Sequence, residues 1–142
     1  MDKYIICDTA TSDYGKTQTL LKVIDKLKQL VKPTIERSIG LGDKFAVFNL
    51  NKKTIVVDTL GDPGTTFIEA LMNAVNANAN MIVCASRTAG NTMEFVNGLE
   101  NEGYEIIRFS NFFAKTNKTS YEPCLHDISA AAIVKLIQKL IQ

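Results

Sequence analysis

Eight residues near the start of the chain, Ala10-Thr11-Ser12-Asp13-Tyr14-Gly15-Lys16-Thr17, combine a glycine, a lysine and a hydroxyl in the order that a phosphate cradle requires. Such a turn aims successive backbone N–H groups at phosphate oxygens, and the helix that follows presents its positive end to the same anion. Gly15 supplies close backbone approach, Lys16 is expected to reach the β- and γ-phosphates, and the Thr17 hydroxyl is expected to complete a Mg2+ shell. The spacing follows G-x-x-x-x-G-K-[ST], with Ala10 at the first glycine, a substitution that the looser pattern accepts. The plain alternative is a chance helix start with a solvated lysine. Asp13 is out of character there, because a carboxylate repels phosphates unless it faces a metal, a partner or a substrate.

A second constellation follows some forty residues on. Ile55-Val56-Val57-Asp58 is an apolar run closed by a carboxylate. A carboxylate at that place in a Walker B arrangement holds Mg2+ directly or through a water, which complements Thr17. Capping of a turn is the alternative for a strand-terminal aspartate. Arg87 would neutralise charge developing on a transferred phosphoryl group or pair with a neighbouring acid. Asp62 would orient a water or sit in the turn before Pro63. His126, the single histidine, lies two residues after Cys124 and reads as a helix-entry structural residue or as half of a Cys-His pair. Phe109 to Phe113, with Asn111 among the aromatics, reads as core or partner packing or as a platform for a base. Cys7 and Cys84 fall within apolar runs and read as small core residues.

These residues need elements to position them. Tyr4 to Asp8 is a strand-forming run. From Lys16, the apolar residues Leu20, Val23, Ile24, Leu27, Leu30 and Val31 recur every three or four positions until Pro33, which predicts an amphipathic helix of about four turns. Residues 34–44 read as a connecting segment. Phe45 to Leu50 and Thr54 to Val57, joined by Asn51-Lys52-Lys53, read as a β-hairpin. A breaker-rich loop through Gly64 leads to a helix over Thr65 to Val75, opened by a Thr65-Thr66 cap and striped by Phe67, Ile68, Leu71, Met72 and Val75. Met81 to Ala85 reads as a strand covered on both faces, Thr92 to Asn101 as a helix ending near Gly103, and Tyr104 to Phe109 as a strand. Asp127 to Ile141 reads as the last helix, and residues 110–124 carry no assignable pattern. Strands alternating with helices predict an α/β three-layer sandwich, with a mainly parallel central sheet and one β-hairpin or antiparallel edge strand. Ligands in such folds bind beyond the carboxyl ends of the strands, where the loops at Ala10 to Thr17, Asp58 to Gly64 and Ser86 to Gly90 all fall.

The composition agrees with one ordinary domain over residues 1–142, with hydrophobic residues at 46% and charged residues at 22%. A net charge of +1 gives no global attraction to nucleic acid or anionic lipid. The three cysteines show no C-x-x-C spacing and suggest neither a disulfide framework nor a zinc site. The apolar run at Tyr4 to Cys7 is too short for a signal peptide or a membrane span, so a reducing cytoplasm is expected.

Together, Ala10 to Thr17, Ile55 to Gly61 and the topology between them resemble the P-loop NTPase superfamily. The pattern is similar to the class that contains MinD- and ParA-type ATPases and dethiobiotin synthetase. The resemblance implies nucleotide contacts from Ala10, Thr11, Ser12, Asp13, Tyr14, Gly15, Lys16, Thr17 and Gly61, the last through a backbone N–H to the γ-phosphate. It implies Mg2+ at Thr17 and Asp58, with Lys16 and Asp58 as the catalytic pair. GTPases carry an N-K-x-D guanine reader, and Asn117-Lys118-Thr119-Ser120 lacks its carboxylate, which favours ATP over GTP. Asp13, two places before Gly15, looks like the substrate-side acid of dethiobiotin synthetase. Ala10-Thr11-Ser12 lacks the signature lysine that partition ATPases use across a dimer. The expected function is Mg2+-dependent ATP binding, with hydrolysis working a switch toward a protein partner or a second copy. The alternatives are a small phosphoryl transferase or ligase-like enzyme, with Asp13 and Arg87 facing an acceptor, and a catalytically silent binding module.

Overall fold

The computed structural model describes residues 2–9, 15–39, 42–60, 65–86, 91–113 and 120–142. Strand β1 (Lys3–Asp8) leads to helix α1 (Lys16–Lys28), followed by β2 (Ile35–Ile39), β3 (Asp43–Leu50) and β4 (Lys53–Asp58). Then come α2 (Thr65–Asn76), β5 (Met81–Ala85), α3 (Asn91–Gly98) with a 3-10 turn at Leu99–Glu102, β6 (Tyr104–Phe109) and α4 (Glu122–Leu140). The strands form one mixed sheet in the order β2-β3-β4-β5-β1-β6. β4, β5, β1 and β6 run parallel, while β3 is antiparallel to both its neighbours.

Alternation along the strands builds two cores. Ile6, Val57, Val83 and Ala85 point toward α1 and α4, where Leu20, Val23, Ile24 and Leu27 meet Ala130, Ile133, Val134 and Ile137. Ile5, Cys7, Val56, Ile82 and Cys84 point the other way, toward Leu71, Ala74 and Val75 of α2 and Val96 of α3. The sheet is thus a middle layer between two helical ones. Burying each large side chain of α1 contributes ~1.5–3 kcal/mol, whereas helix propensities differ by tenths. Packing therefore decides where α1 lies, and Lys26 and Lys28 in its last turn suit the negative helix end.

Three elements differ from the sequence reading. Residues 34–44 contain β2, an edge strand whose Ile35, Glu36, Arg37 and Ser38 are exposed. Hydrophobic periodicity reports burial, and β2 is held by other means. It pairs with β3, the Arg37 guanidinium lies 4.7 Å from the Phe45 ring centroid, and Glu36 bridges Lys28 at 3.0 Å and Lys44 at 3.4 Å. α1 stops at Lys28 rather than continuing to Pro33, and Leu30 is left exposed. α4 begins at Glu122 rather than Asp127, because Pro123 in its first turn gives up an N–H that would have had no helical partner there.

The hairpin is as expected, with the turn tightened to Asn51-Lys52 at φ 52° and 65°. Two consecutive positive φ angles give the turn the twist that suits flanking strands. Asn80 ties the hairpin to the rest of the sheet: its side-chain oxygen accepts from Thr54 N–H at 2.9 Å, and its carbonyl accepts from Tyr4 N–H at 2.9 Å. No helix among the described residues is long and apolar enough to cross a membrane.

Candidate functional site

The carboxyl edge of the parallel strands gathers the chemistry. β1 ends in Asp8 and β4 in Asp58, both fully buried, and β5 lies between them and runs into buried Ser86. Two interstrand spacings therefore separate the backbones of β1 and β4, about 10 Å in all. The pattern of an apolar strand closed by an aspartate occurs twice in the sequence, at Ile5-Ile6-Cys7-Asp8 and at Ile55-Val56-Val57-Asp58. Asp8 was legible in that repetition, although the motif reading singled out Asp58 alone.

Gly15 closes the loop and starts α1 in the left-handed region, at φ 87° and ψ 19°. Its carbonyl accepts the first helical bond, from Thr19 N–H at 2.9 Å. Among the described residues no side chain caps α1, and its first turn holds no acid, so no carboxylate of the helix's own neutralises its positive end. A Cβ at Gly15 would also meet the His126 imidazole, with Cδ2 at 2.8 Å and Cε1 at 3.1 Å, so that side chain would have to shift.

Lys16 opens α1, half-buried, and its Nζ donates to the Ser86 carbonyl at 3.1 Å. Ser86 N–H in turn donates to the Asp8 carbonyl at 2.9 Å, and Cys7 Sγ lies 3.3 Å from Ser86 Oγ. The lysine therefore reaches across the sheet edge from the α1 layer to the end of β5. Thr17, half-buried, is the next residue of the helix.

Asp58 has a different set of neighbours. Its cross-strand partner is Phe45, which packs in the core on the α2 side. One carboxylate oxygen accepts from Leu60 N–H at 3.0 Å, while the other, Oδ2, is buried with no hydrogen-bond partner among the described residues. Burial pushes its pKa up to about 7; the Leu60 N–H opposes this, Asp43 adds to it and Arg37 opposes it. The Thr59 hydroxyl donates to Asp43 Oδ1 at 2.8 Å and accepts from Lys44 N–H at 3.0 Å, which fixes the chain as it leaves the strand. No group of three or more His, Cys, Asp or Glu side chains among the described residues forms a metal cluster.

Around β6, Asn111 is buried and its backbone N–H donates to Asp8 Oδ1 at 3.3 Å. Phe112 and Phe113 are exposed rather than in the core. A cavity of about 230 Å3 lies beside them, lined in part by Ile6, Phe109, Asn111, Phe112, Ser129 and Leu136. Cys124 and His126 both fall inside α4, and residues two apart on a helix do not face one another, so they form no pair. Ala10, Thr11, Ser12, Asp13, Tyr14, Gly61, Asp62, Arg87 and the stretch Asn117 to Thr119 lie outside the described residues, as do the side chains of Thr65, Thr66, Phe67 and Ile68.

Neither a scan against protein-family models nor comparison with curated proteins and with solved structures returns a match for this chain.

Proposed function

We propose that the chain is a P-loop-type nucleotide-binding protein that takes MgATP at Ala10 to Thr17 and works as a small ATPase or switch. The observation that carries the reading is the junction at Gly15. A glycine at positive φ hands directly to the helix, and the next residue, Lys16, turns its ammonium to the carboxyl edge of the sheet. That junction suits a phosphate chain, which would draw backbone N–H groups, a helix dipole and an ammonium toward one anion.

Asp58 supports a metal on the grounds of donor chemistry. A buried carboxylate oxygen without a partner among the described residues fits a hard cation, and the Thr17 hydroxyl is the other protein oxygen that the motif assigns to it. Mg2+, when bound, supplies neutralisation of phosphate charge. Lys16 then orients the terminal phosphates, and buried Asp58 holds its proton until a cation favours the ionised form. ATP is favoured over GTP because Asn117 to Ser120 lacks a guanine-reading carboxylate. Changes in the loop after Asp58 on hydrolysis would alter a surface read by a protein partner or a second copy. The three free cysteines suit a reducing cytoplasm.

The test is equilibrium titration of the full chain with ATP and GTP, with and without Mg2+, beside Lys16→Ala. Saturable binding of ATP that needs Mg2+ and disappears in Lys16→Ala is the expected result. Absence of binding by any nucleotide, or binding indifferent to Lys16, would overturn the reading. Phosphate release without an added acceptor separates an ATPase from a phosphoryl transferase, and binding without turnover identifies a silent module.

A further inference from the structure

We infer that His126 is a phosphate-contacting residue of this site, donating a hydrogen bond from α4 to the phosphate chain that Lys16 engages from α1. The inference rests on the reading of Gly15-Lys16-Thr17 as the end of a nucleotide loop.

The first ground is position. α1 follows β1 and α4 follows β6, and these strands are parallel, so both helices start at the carboxyl edge of the sheet and pack side by side. The imidazole lies where a Gly15 Cβ would be, with Nε2 the nearest atom. It is therefore in van der Waals contact with Gly15, the residue that precedes α1.

The second ground is phase. Ala130, Ile133, Val134 and Ile137 form the buried apolar stripe of α4. One turn before Ala130, in the same phase, stands His126, half-buried. An apolar side chain would serve packing alone at the head of that stripe, yet the position carries the chain's one imidazole, at the edge where the phosphates bind. The rotation of α4 is held by Lys26 Nζ on Asp127 Oδ1 at 3.0 Å and by Phe112 N–H donating to Ser129 Oγ at 2.9 Å. His126 is thus fixed toward α1.

The third ground is chemistry. A neutral imidazole offers one N–H, and the imidazolium offers two together with a positive charge, both suited to phosphate oxygens. The charged groups on these elements are Lys16, Lys22, Asp25, Lys26 and Lys28 of α1, Glu122, Asp127, Lys135 and Lys139 of α4, and Lys3 and Asp8 of β1. All of them stay in place when position 126 is changed, so a difference between variants isolates the imidazole.

The experiment is calorimetric titration of the full chain with MgATP and with tripolyphosphate. Wild type, His126→Ala, His126→Gln and Lys16→Ala are compared. The expected result is affinity weakened about tenfold in His126→Ala, the scale of one hydrogen bond to a charged group. His126→Gln keeps a donor and part of the affinity. If His126→Ala does not fold, as read by circular dichroism, the affinity of His126→Gln against wild type decides alone. Wild-type affinity in the His126 variants, with binding lost in Lys16→Ala, would overturn the inference and leave the nucleotide reading standing. Absence of binding by wild type overturns both.

Discussion

The Lys16 ammonium and the Ser86 carbonyl are bonded at 3.1 Å, which ties the first residue of α1 to the residue that leaves β5. The carbonyl is a neutral acceptor holding a cation at a place where a phosphate oxygen would be a stronger one. Without ligand, losing this bond in Lys16→Ala should cost about 1.5–3 kcal/mol, the range for a hydrogen bond to a charged group. With ATP at about one hundred times Kd, wild type should gain about 2.7 kcal/mol in urea unfolding. Lys16→Ala should gain nothing. A variant that gains as much as wild type would show that the ligand bypasses this lysine.

Gly15 is constrained twice, by φ 87° and by the imidazole against its Cα. Gly15→Ala should destabilise the chain by roughly 1–2 kcal/mol for the left-handed conformation alone, with the steric clash added. The double variant Gly15→Ala with His126→Ala should recover the steric part and keep the backbone part, because only the second residue is responsible for the clash. A double-mutant cycle by thermal unfolding measures this, and strict additivity of the two changes would contradict the contact.

Much of this architecture is legible in the sequence. The spacing of Leu20, Val23, Ile24 and Leu27 marked α1, the run Met81 to Ala85 marked a strand covered on both faces, and Gly103, at φ 90°, marked the turn into β6. Burial patterns carry that information because they repeat with the geometry of the element. β2 escaped because an exposed edge strand has no such pattern, and its stabilising partners Phe45, Lys28 and Lys44 lie elsewhere in the sequence. Of the site, the junction at Gly15 and the buried end of β4 at Asp58 were visible as motifs. The contact between Gly15 and His126 spans most of the chain and leaves no local trace. The same is true of the bond from Lys16 to Ser86, which depends on strand order.

Cys7 and Cys84 are register partners on neighbouring strands, both fully buried, whereas Cys124 is exposed on α4. The hydrogen bond with Cys84 is the main influence lowering the Cys7 pKa, and the same bond, with burial, raises that of Cys84. Reactivity needs access as well as a thiolate, so burial should dominate. A chromogenic disulfide reagent should titrate one thiol rapidly in the native chain and all three in denaturant. Cys124→Ser should abolish the rapid phase. A rapid thiol remaining in that variant would mean that the sheet edge opens readily.

Asp58 makes the stability of the chain depend on pH in the direction opposite to that of a salt-bridged carboxylate. Its pKa is about 7 in the folded chain, while an unfolded aspartate ionises near 3.8. Between those values the folded chain holds a proton that the unfolded chain has released, so stability falls as pH rises through this window and levels off above it. The whole displacement corresponds to at most about 4 kcal/mol. Urea unfolding from about pH 4 to about pH 8 should show this decline, and Asp58→Asn, an amide with no proton to lose, should be flatter and relatively more stable at the alkaline end. Mg2+ at Oδ2 would favour the ionised form, so MgATP binding near neutral pH should release a proton. That release is seen as a dependence of the calorimetric enthalpy on buffer, and it should vanish in Asp58→Asn. Parallel stability profiles for wild type and Asp58→Asn would remove Asp58 as the titrating group, and unchanged proton release in the variant would remove it as the metal ligand.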